Sequence, residues 1–201
     1  MSPTSHPAEG PAPTPELAAR PDEPVTAVLA LGANLGDVRE TLDHAVAVIT
    51  VTPDVHDVKA SPRAVTAPVG GPPGQPDYLN QVLRIRTSLS PWELLGLAHR
   101  LEQEHHRRRS ERWGARTLDV DLIAYGELRS DHPDLTLPHP RAAQRAFVLL
   151  PWLWLDPAAE LAGEPVAQLA ERAPDAGGVR RAAPRRARLL GGPGQAGRDA
   201  T

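Results

Sequence analysis

The sequence contains no cysteine, no long apolar segment and no large excess of charge of either sign. Without cysteine, disulfide bonds and thiolate metal sites are excluded. The apolar runs are far shorter than the roughly 20 residues of a membrane-spanning helix, and the first 24 residues lack the basic start and apolar centre of a secretory signal. The formal net charge of −3 argues against general binding to nucleic acid or to membranes, because both need a broad basic surface. We therefore expect a soluble, cytoplasmic protein.

The two ends of the chain are predicted to lie outside a single domain. Residues 1–24 are rich in Pro and Ala without periodicity, which predicts a disordered tail. Residues 173–201 are rich in Arg, Gly, Pro and Ala, which predicts a flexible tail whose arginines could contact an anion. One domain of about 25–172 remains, and it is long enough to bury a sizeable core.

The apolar periodicity of this domain predicts the order strand, helix, strand, strand, helix, strand. The stretches "VTAVLALG", "DVHDVKAS", "YLNQVLRIRTS" and "TLDVDLIAYG" are typical of strands. Two stretches with one apolar helical face, "GDVRETLDHAVAVIT" and "SPWELLGLAHRLEQEHHR", predict helices with Asp37 and Ser90 as their N-caps. This order predicts an α+β fold of the ferredoxin-like type, an antiparallel sheet with helices packed on one face and long active-site loops on the other.

An Asp-x-Asp pair lies inside the last predicted strand, in "RWGARTLDVDLIAYG". Since side chains alternate along a strand, Asp119 and Asp121 share one face and lie about 7 Å apart. The residues predicted to face the helices are Leu118, Val120, Leu122 and Ala124. The opposite face is predicted to carry Asp119, Asp121, Ile123 and Tyr125. Two carboxylates on one face repel each other, so a positive partner is expected beside them.

That partner could be a divalent metal ion or arginine. Oxygen ligands without cysteine suit Mg²⁺, which binds through one or two carboxylates and substrate phosphates. The preceding segment "HRRRSERWGAR" is rich in arginine. Surface salt bridges are one interpretation of this combination. The arginines nevertheless exceed what two aspartates need, and guanidinium groups bind phosphate oxygens bidentately. An Asp-x-Asp pair beside such a segment therefore also predicts a site for a nucleotide polyphosphate.

Other candidate residues carry weaker signals by themselves. Tyr78 and Asn80 share a face at the start of a strand, and Phe147 is the only phenylalanine of the chain. Two rings and an amide could hold a flat heterocycle by stacking and edge hydrogen bonds, or they could be core residues and a strand cap. His139, in "LPHPR", could donate to a phosphate or cap a turn. Trp113 could be a core anchor or a stacking surface.

Four segments in this order resemble the 6-hydroxymethyl-7,8-dihydropterin pyrophosphokinase family. They are "LALGANLGD", "TAPVGGPPGQPDYLNQV", "RRRSERWGARTLDVDLIAYG" and "LTLPHPRAAQRAFVLLPW". The resemblance covers about residues 25–172. It implies an ATP- and Mg²⁺-dependent pyrophosphokinase of folate biosynthesis, which transfers pyrophosphate to the pterin hydroxymethyl group and releases AMP.

The resemblance also implies roles for individual residues. Those implied as catalytic are Arg107, Arg116, Asp119 and Asp121, and the two aspartates are also the implied ligands of two Mg²⁺ ions. The implied pterin-binding residues are Thr66, Pro68, Val69, Tyr78, Asn80 and Phe147, with the rings of Tyr78 and Phe147 on either side of the pterin. The implied ATP-binding residues are Glu102, Arg107, Arg109, Trp113, Arg116, Thr136, His139 and Arg145. The expected partners are ATP and 6-hydroxymethyl-7,8-dihydropterin, without nucleic acid or membrane, and the expected state is a monomer.

Two other functions remain as alternatives. A ferredoxin-like RNA-binding module would use aromatic residues on the sheet face. Two aspartates on that face disfavour it, because they repel phosphate unless a metal intervenes. A non-catalytic paralogue that binds nucleotide is disfavoured by the presence of the Asp pair, the arginines and the pterin-side residues together.

Overall fold

A computed structural model describes the chain over residues 11–68, 74–105 and 117–183. The helices are α1 (Pro15–Ala18), α2 (Val38–Val51), α3 (Pro91–Glu104), α4 (Ala146–Leu155) and α5 (Val166–Arg172). The strands are β1 (Val25–Ala33), β2 (Val55–Ala60), β3 (Ala64–Thr66), β4 (Tyr78–Thr87), β5 (Asp119–Tyr125), β6 (Ser130–His132), β7 (Leu135–Leu137), β8 (Glu160–Leu161), β9 (Glu164–Pro165) and β10 (Arg180–Arg181). Short 3₁₀ turns lie at Ala142–Gln144 and Ala176–Gly178. Across these described ranges, no helix combines the length and apolar character needed to span a membrane.

The main sheet is antiparallel and is built around β1 and β4, the two longest apolar strands. Its order is β10-β3-β4-β1-β5, and β2 also pairs with β4. The predicted sequence of elements corresponds to β1, α2, β2, β4, α3 and β5, to which β3 adds a short strand. The predicted α+β class with an antiparallel sheet is confirmed.

Helices α2 and α3 begin where their capping residues predict. The Asp37 carboxylate accepts hydrogen bonds from the backbone N–H groups of Arg39 and Glu40. At α3, the Ser90 hydroxyl accepts from the Glu93 N–H, and the Glu93 carboxylate accepts from the Ser90 N–H. These bonds satisfy N–H groups that have no partner within the helix. Both predicted N-caps are confirmed.

The central strands contribute to a core on each face of the sheet. Ala27, Leu29 and Leu31 belong to the core covered by α2 and α3, which we call the α2/α3 core. Val28, Val82 and Ile123 belong to the core covered by α4 and α5, which we call the α4/α5 core. The prediction that helices pack on only one face is therefore corrected. Because the sheet carries apolar side chains on both faces, both faces need a covering layer.

A register shift in β5 changes the predicted faces at the end of that strand. Leu118, Val120 and Leu122 lie in the α2/α3 core as predicted. The pairing with β1 then skips Ile123, and beyond it Tyr125 lies in the α2/α3 core while Ala124 packs against the α4/α5 core. One unpaired residue reverses the alternation of a strand. The predicted faces of Ala124 and Tyr125 are therefore wrong, and those of Asp119, Asp121 and Ile123 hold.

Part of the predicted N-terminal tail packs on the domain. Leu17 in α1 is only 1% exposed and belongs to the α2/α3 core. Arg20 then donates to the carboxylates of Asp54, at 2.9 Å, and Glu93, at 2.7 Å. The predicted disorder of residues 1–24 is corrected over residues 14–20, because one apolar side chain and one arginine anchor a segment whose composition is otherwise that of a linker. Residues 1–10 lie outside the described ranges.

Part of the predicted C-terminal tail also packs on the domain. Strand β10 pairs with β3, and the Arg181 guanidinium lies 4.7 Å from the centre of the Trp154 ring. Arg180 lies 3.3 Å from the Asp77 carboxylate. The predicted flexibility of residues 173–201 is therefore corrected up to residue 183, because these arginines bind groups of the domain itself. Residues 184–201 lie outside the described ranges.

The anchoring of α1 yields a stability prediction. Leu17→Ala should lower the free energy of unfolding by about 2 kcal/mol, because it empties a buried leucine site. Leu35→Ala, which truncates a leucine that is 39% exposed, is the matched control and should change stability by less than about 0.5 kcal/mol. Urea denaturation of both variants measures the difference. Equal stabilities would mean that α1 does not contribute to the core.

Candidate active site

The Asp-x-Asp pair lies on the face of the sheet that carries the α4/α5 core. Asp119 in β5 is paired with Gly32 in β1, and Gly32 is paired on its other side with Asn80 in β4. Asp121 is likewise paired with Ala30. Because directly paired residues share a face, Asn80, Gly32 and Asp119 form one row across the three adjacent strands. Each aspartate is partly exposed, as is expected at the border between a core and solvent.

A cavity of about 290 Å³ lies over this row. It gathers eight of the residues predicted for the site: Thr66, Pro68, Tyr78, Asn80, Asp119, Asp121, Arg145 and Phe147. Tyr78 and Phe147 thus line the same cavity as the two carboxylates. The structure brings together residues predicted for the pterin and residues predicted for the phosphates.

Several lining residues were not identified from the sequence: Ala30, Leu31, Gly32, Ala67, Arg141, Gln144, Pro174 and Asp175. Arg141 and Gln144 belong to the 3₁₀ turn region just before Arg145, so their closeness in sequence to a candidate residue was an available signal. The strand alternation could also have identified Ala30 and Gly32. Asp175 lies far from the other candidates along the chain and had no comparable signal.

At one end of the cavity, Asn80 is fixed by its neighbours. Its side chain is buried, and its Nδ2 group donates to Thr66 Oγ1 at 2.9 Å. A Cβ atom at position 32 would lie 2.9 Å from Asn80 Oδ1, closer than real Cβ contacts come. Glycine at position 32 therefore leaves the space that the Asn80 amide occupies.

At the other end, Asp121 faces two basic groups. Arg145 Nη1 lies 3.3 Å from Asp121 Oδ2, and His139 Nε2 lies 3.8 Å from the same oxygen. The Arg145 guanidinium also lies 5.4 Å from the centre of the Phe147 ring. Arg145 thus links the carboxylate end of the cavity to an aromatic wall.

The surroundings of His139 favour the neutral form of its imidazole. Burial is the largest influence and lowers the pKa of the imidazole; Asp121 raises it, and Arg145 and Arg141 lower it further. The backbone N–H of Arg141 donates to His139 Nδ1 at 3.2 Å, which favours the tautomer with its proton on Nε2, the nitrogen that lies 3.8 Å from Asp121. The backbone N–H of His139 itself donates to the Ile123 carbonyl at 2.8 Å, which fixes this loop against β5.

Two residues predicted to bind ATP lie elsewhere. Glu102 in α3 is 5% exposed, and its carboxylate accepts a 3.0 Å hydrogen bond from the Val120 N–H on the side of the α2/α3 core. Thr136 in β7 donates from Oγ1 to the His132 carbonyl at 3.2 Å. Neither is among the described residues that line the cavity, and their roles toward ATP stay predictions.

Five predicted site residues fall outside the described ranges. They are Val69, Arg107, Arg109, Trp113 and Arg116. Their predicted roles, on the pterin side for Val69 and on the phosphate side for the others, stay predictions.

The carboxylate pair fits Mg²⁺ that arrives with a polyphosphate. Among the described residues, there is no group of three or more His, Cys, Asp or Glu side chains that could hold a metal ion by themselves. Asp119 and Asp121 supply oxygen donors inside the cavity and leave other coordination positions to substrate oxygens and water. Mg²⁺ prefers this kind of coordination.

Comparison with known proteins agrees with the resemblance in the sequence. The model of the 7,8-dihydro-6-hydroxymethylpterin-pyrophosphokinase (HPPK) family matches residues 28–157. A 2-amino-4-hydroxy-6-hydroxymethyldihydropteridine pyrophosphokinase of Synechocystis is 40% identical over 151 residues, which cover 73% of this chain and 75% of that protein. The enzyme of the same name from Haemophilus influenzae is 42% identical over 127 residues, which cover 63% of this chain and 79% of that protein.

Solved structures with the same fold include HPPK-DHPS proteins. A crystal structure of HPPK-DHPS in complex with substrates has a TM-score of 0.57 and 11% identity, and the match covers 74% of this chain but 43% of that one. The wild-type Plasmodium falciparum HPPK-DHPS with pterin and p-hydroxybenzoate has a TM-score of 0.54 and 13% identity, and the match covers 77% of this chain and 44% of that one. This chain thus spans less than half of these proteins, and at such identity the likeness shows the fold. Together with the family model and the closer relatives, it leads to the conclusion that the chain belongs to the 7,8-dihydro-6-hydroxymethylpterin-pyrophosphokinase family.

Proposed function

We propose that this chain transfers pyrophosphate from ATP to the hydroxymethyl group of 6-hydroxymethyl-7,8-dihydropterin and releases AMP, a step of folate biosynthesis. The observation that carries the proposal is the composition of the cavity. It is lined by a carboxylate pair with an arginine and also by two aromatic rings with a buried amide. Family membership supports the same reaction, since the relatives carry the name of this pyrophosphokinase.

We assign the pterin to the part of the cavity that Tyr78, Asn80 and Phe147 line. Aromatic rings stack on a flat heterocycle, and an amide supplies both a donor and an acceptor for its edge. The hydrogen bond from Asn80 to Thr66 orients the amide before any ligand arrives, which lowers the entropy lost on binding. Pro68 and Val69 are proposed to contribute from the loop that follows β3.

We assign the ATP phosphates to the end that contains Asp119, Asp121 and Arg145. When bound there, Mg²⁺ would offset negative charge on the phosphate oxygens and favour in-line displacement. Arg145 is already oriented by Asp121, so its guanidinium needs little rearrangement to face an anion. Arg107, Arg109 and Arg116 are proposed to add positive charge from the arginine-rich segment, with Trp113 beside them. Glu102, Thr136 and His139 are proposed as residues of the nucleotide side.

The reaction is a displacement at the β-phosphorus of ATP. The pterin hydroxymethyl oxygen forms a bond to this phosphorus, and the bond from the phosphorus to the oxygen it shares with the α-phosphate breaks. AMP leaves with the electron pair of that bond, and the hydroxyl proton passes to solvent. The protein contributes positioning and charge neutralisation, and we assign no side chain as the general base.

The further properties of the protein are also proposals. We propose that two Mg²⁺ ions bind between the carboxylates of Asp119 and Asp121 and the triphosphate of ATP. A monomer is consistent with the surface, since the large apolar side chains exposed within the described ranges are the two isolated residues Leu35 and Val51. A cytoplasmic location stays a prediction from the sequence.

The two alternatives differ from this reaction in the product formed and in the surface required. A non-catalytic paralogue would bind ATP without forming AMP. An RNA-binding module would need a sheet face open to nucleotides, but here that face carries Asp119 and Asp121 at one end and α4 at the other. The observed face therefore disfavours RNA.

The first prediction from the proposed function concerns the products. Incubation with ATP, Mg²⁺ and 6-hydroxymethyl-7,8-dihydropterin should form AMP and the pterin diphosphate in equal amounts, as resolved by ion-exchange chromatography. Omission of the pterin or chelation of Mg²⁺ should each prevent AMP formation. Bound ATP without AMP would identify the non-catalytic paralogue, and ADP would mean that a different phosphorus is attacked.

The second prediction concerns the carboxylate pair. Asp119→Ala and Asp121→Ala should each lower kcat about 100-fold or more, because the phosphate charge would lose its metal-based stabilisation. Thermal unfolding should show that both variants remain folded, since the two side chains border solvent. Asp131→Ala removes an exposed carboxylate from β6 and is the matched control with unchanged activity. Activity close to that of the unmodified chain in both variants would exclude these residues as metal ligands.

The third prediction concerns the space beside Asn80. Gly32→Ala should displace the Asn80 amide and raise the KM for the pterin about 10-fold, the equivalent of one disturbed hydrogen-bonding group. The KM for ATP should change little. Gly96→Ala in α3 is the control, because its added Cβ would lie 3.5 Å from its nearest neighbour, at ordinary contact distance. An unchanged KM for the pterin in Gly32→Ala would remove Asn80 from the pterin site.

A further inference from the structure

Helix α4 begins without a capping side chain of its own. Its first residue is Ala146, and Arg145 occupies the N-cap position with extended backbone angles (φ −113°, ψ 98°) and no side-chain hydrogen bond to the helix. The first N–H groups of a helix have no partner within that helix. An acceptor from another part of the chain is therefore needed to fix this end.

Asp175 supplies that acceptor. Its Oδ1 atom accepts a 2.8 Å hydrogen bond from the Ala146 N–H, across 29 residues of sequence. A carboxylate at this position also interacts favourably with the positive end of the helix dipole. Asp175 and the preceding Pro174 both line the cavity, so this contact lies at the border of the active site.

The N–H group that Asp175 holds belongs to the peptide bond between Arg145 and Ala146. Phe147 follows Ala146 as the second residue of α4. The direction of a side chain in the first helical turn is set by the orientation of the backbone there. Fixing the Ala146 N–H therefore fixes the direction in which the Phe147 ring enters the cavity. The separate ion pair of Arg145 with Asp121 holds the arginine from its other end.

The segment that carries Asp175 is itself anchored on both sides. Before it, Leu169 and Ala170 of α5 are buried in the α4/α5 core. After it, β10 pairs with β3, the strand that ends at Thr66. Asp175 therefore lies in a connection that is packed on the domain before and after it, although it lies beyond residues 28–157, which the family model matches.

We propose that Asp175 is a positioning residue that holds the Phe147 ring in place for the pterin. The hydrogen bond from the Ala146 N–H transmits the effect, so the residue acts through Phe147 and does not need to touch the substrate. The consequence for pterin binding rests on the proposed function, whereas the consequence for the ring does not.

The position of the ring can be observed directly, because Phe147 is the only phenylalanine of the chain. Protein labelled with 4-fluorophenylalanine should give a single ¹⁹F resonance from this ring. Asp175→Ala should shift or broaden that resonance, since the start of α4 loses its acceptor. Asp175→Asn keeps an oxygen at the same place and should restore the resonance of the unmodified chain. Asp156→Ala, at the opposite end of α4, removes a carboxylate that pairs with Arg84 at 3.2 Å and should leave the resonance unchanged.

Binding then tests the consequence for the substrate. With Mg²⁺ and a non-hydrolysable ATP analogue present, Asp175→Ala should weaken pterin binding about 10-fold, whereas Asp175→Asn and Asp156→Ala should change it less than about three-fold. The affinity for the ATP analogue alone should remain within about two-fold in all three variants. Isothermal titration calorimetry measures both affinities.

Several outcomes would overturn the proposal. They are an unchanged ¹⁹F resonance in Asp175→Ala, the same resonance change in Asp175→Asn, and an equal loss of affinity for both ligands. If Asp175→Ala does not fold, Asp175→Glu replaces it, because the longer side chain displaces the carboxylate and should also move the resonance. If the unmodified chain does not bind the pterin, the proposed function fails, and the ¹⁹F comparison still decides whether Asp175 positions the ring.

Discussion

Two carboxylates must lie beside an apolar core on the same face of one sheet, and much of the architecture accommodates this constraint. Along β5, Asp119 and Asp121 lie on the face whose next inward residue, Ile123, is fully buried. The charges are tolerated because they remain partly exposed and because Arg145 lies 3.3 Å from Asp121. Helix α4 begins close to this position, so its apolar body covers the core and its first turn borders the cavity. The border between core and active site is thus a helix end, where backbone N–H groups and anionic side chains are compatible.

The strand that carries the aspartates is also stabilised along its open edge. Strand β5 is an edge of the main sheet, so part of its backbone has no neighbouring strand. The buried carboxylate of Glu102 accepts from the N–H of Val120, the residue between the two aspartates. This contact satisfies an edge N–H group and joins α3 to the strand at the middle of the site. The position of Glu102 is therefore explained by the folded state of β5, independently of any contact with ATP.

Local features of the fold could be predicted from the sequence, whereas distant contacts could not. The N-caps Asp37 and Ser90 and the shared face of Asp119 and Asp121 depend on neighbours within a few residues, and the sequence displays those neighbours. The register shift at Ile123 depends on how β1 and β5 pair, and the burial of Leu17 depends on a groove formed by the rest of the domain. No local pattern groups Tyr78 and Asn80 with Phe147, which lies far along the chain. The family resemblance grouped them, and all three line the same cavity. Arg141, Gln144 and Asp175 were missed because their importance follows from the position of α4.

The active site is therefore a product of the whole domain and not of its most recognisable segment. The family model matches residues 28–157, and this range contains the aspartates, the rings and the amide. It excludes Asp175, which caps α4 behind Phe147, and β10, which pairs with β3 next to Thr66. Without these contacts, the first N–H of α4 would lose an acceptor, and β3 would become an unpaired edge. The first loss falls next to Phe147 and the second next to Thr66, the hydrogen-bond partner of Asn80, whereas the ion pair between Asp121 and Arg145 uses neither contact. The aspartates thus depend on the pairing of β5 with β1, whereas the first turn of α4 and the outer side of β3 also depend on the segment that closes the fold.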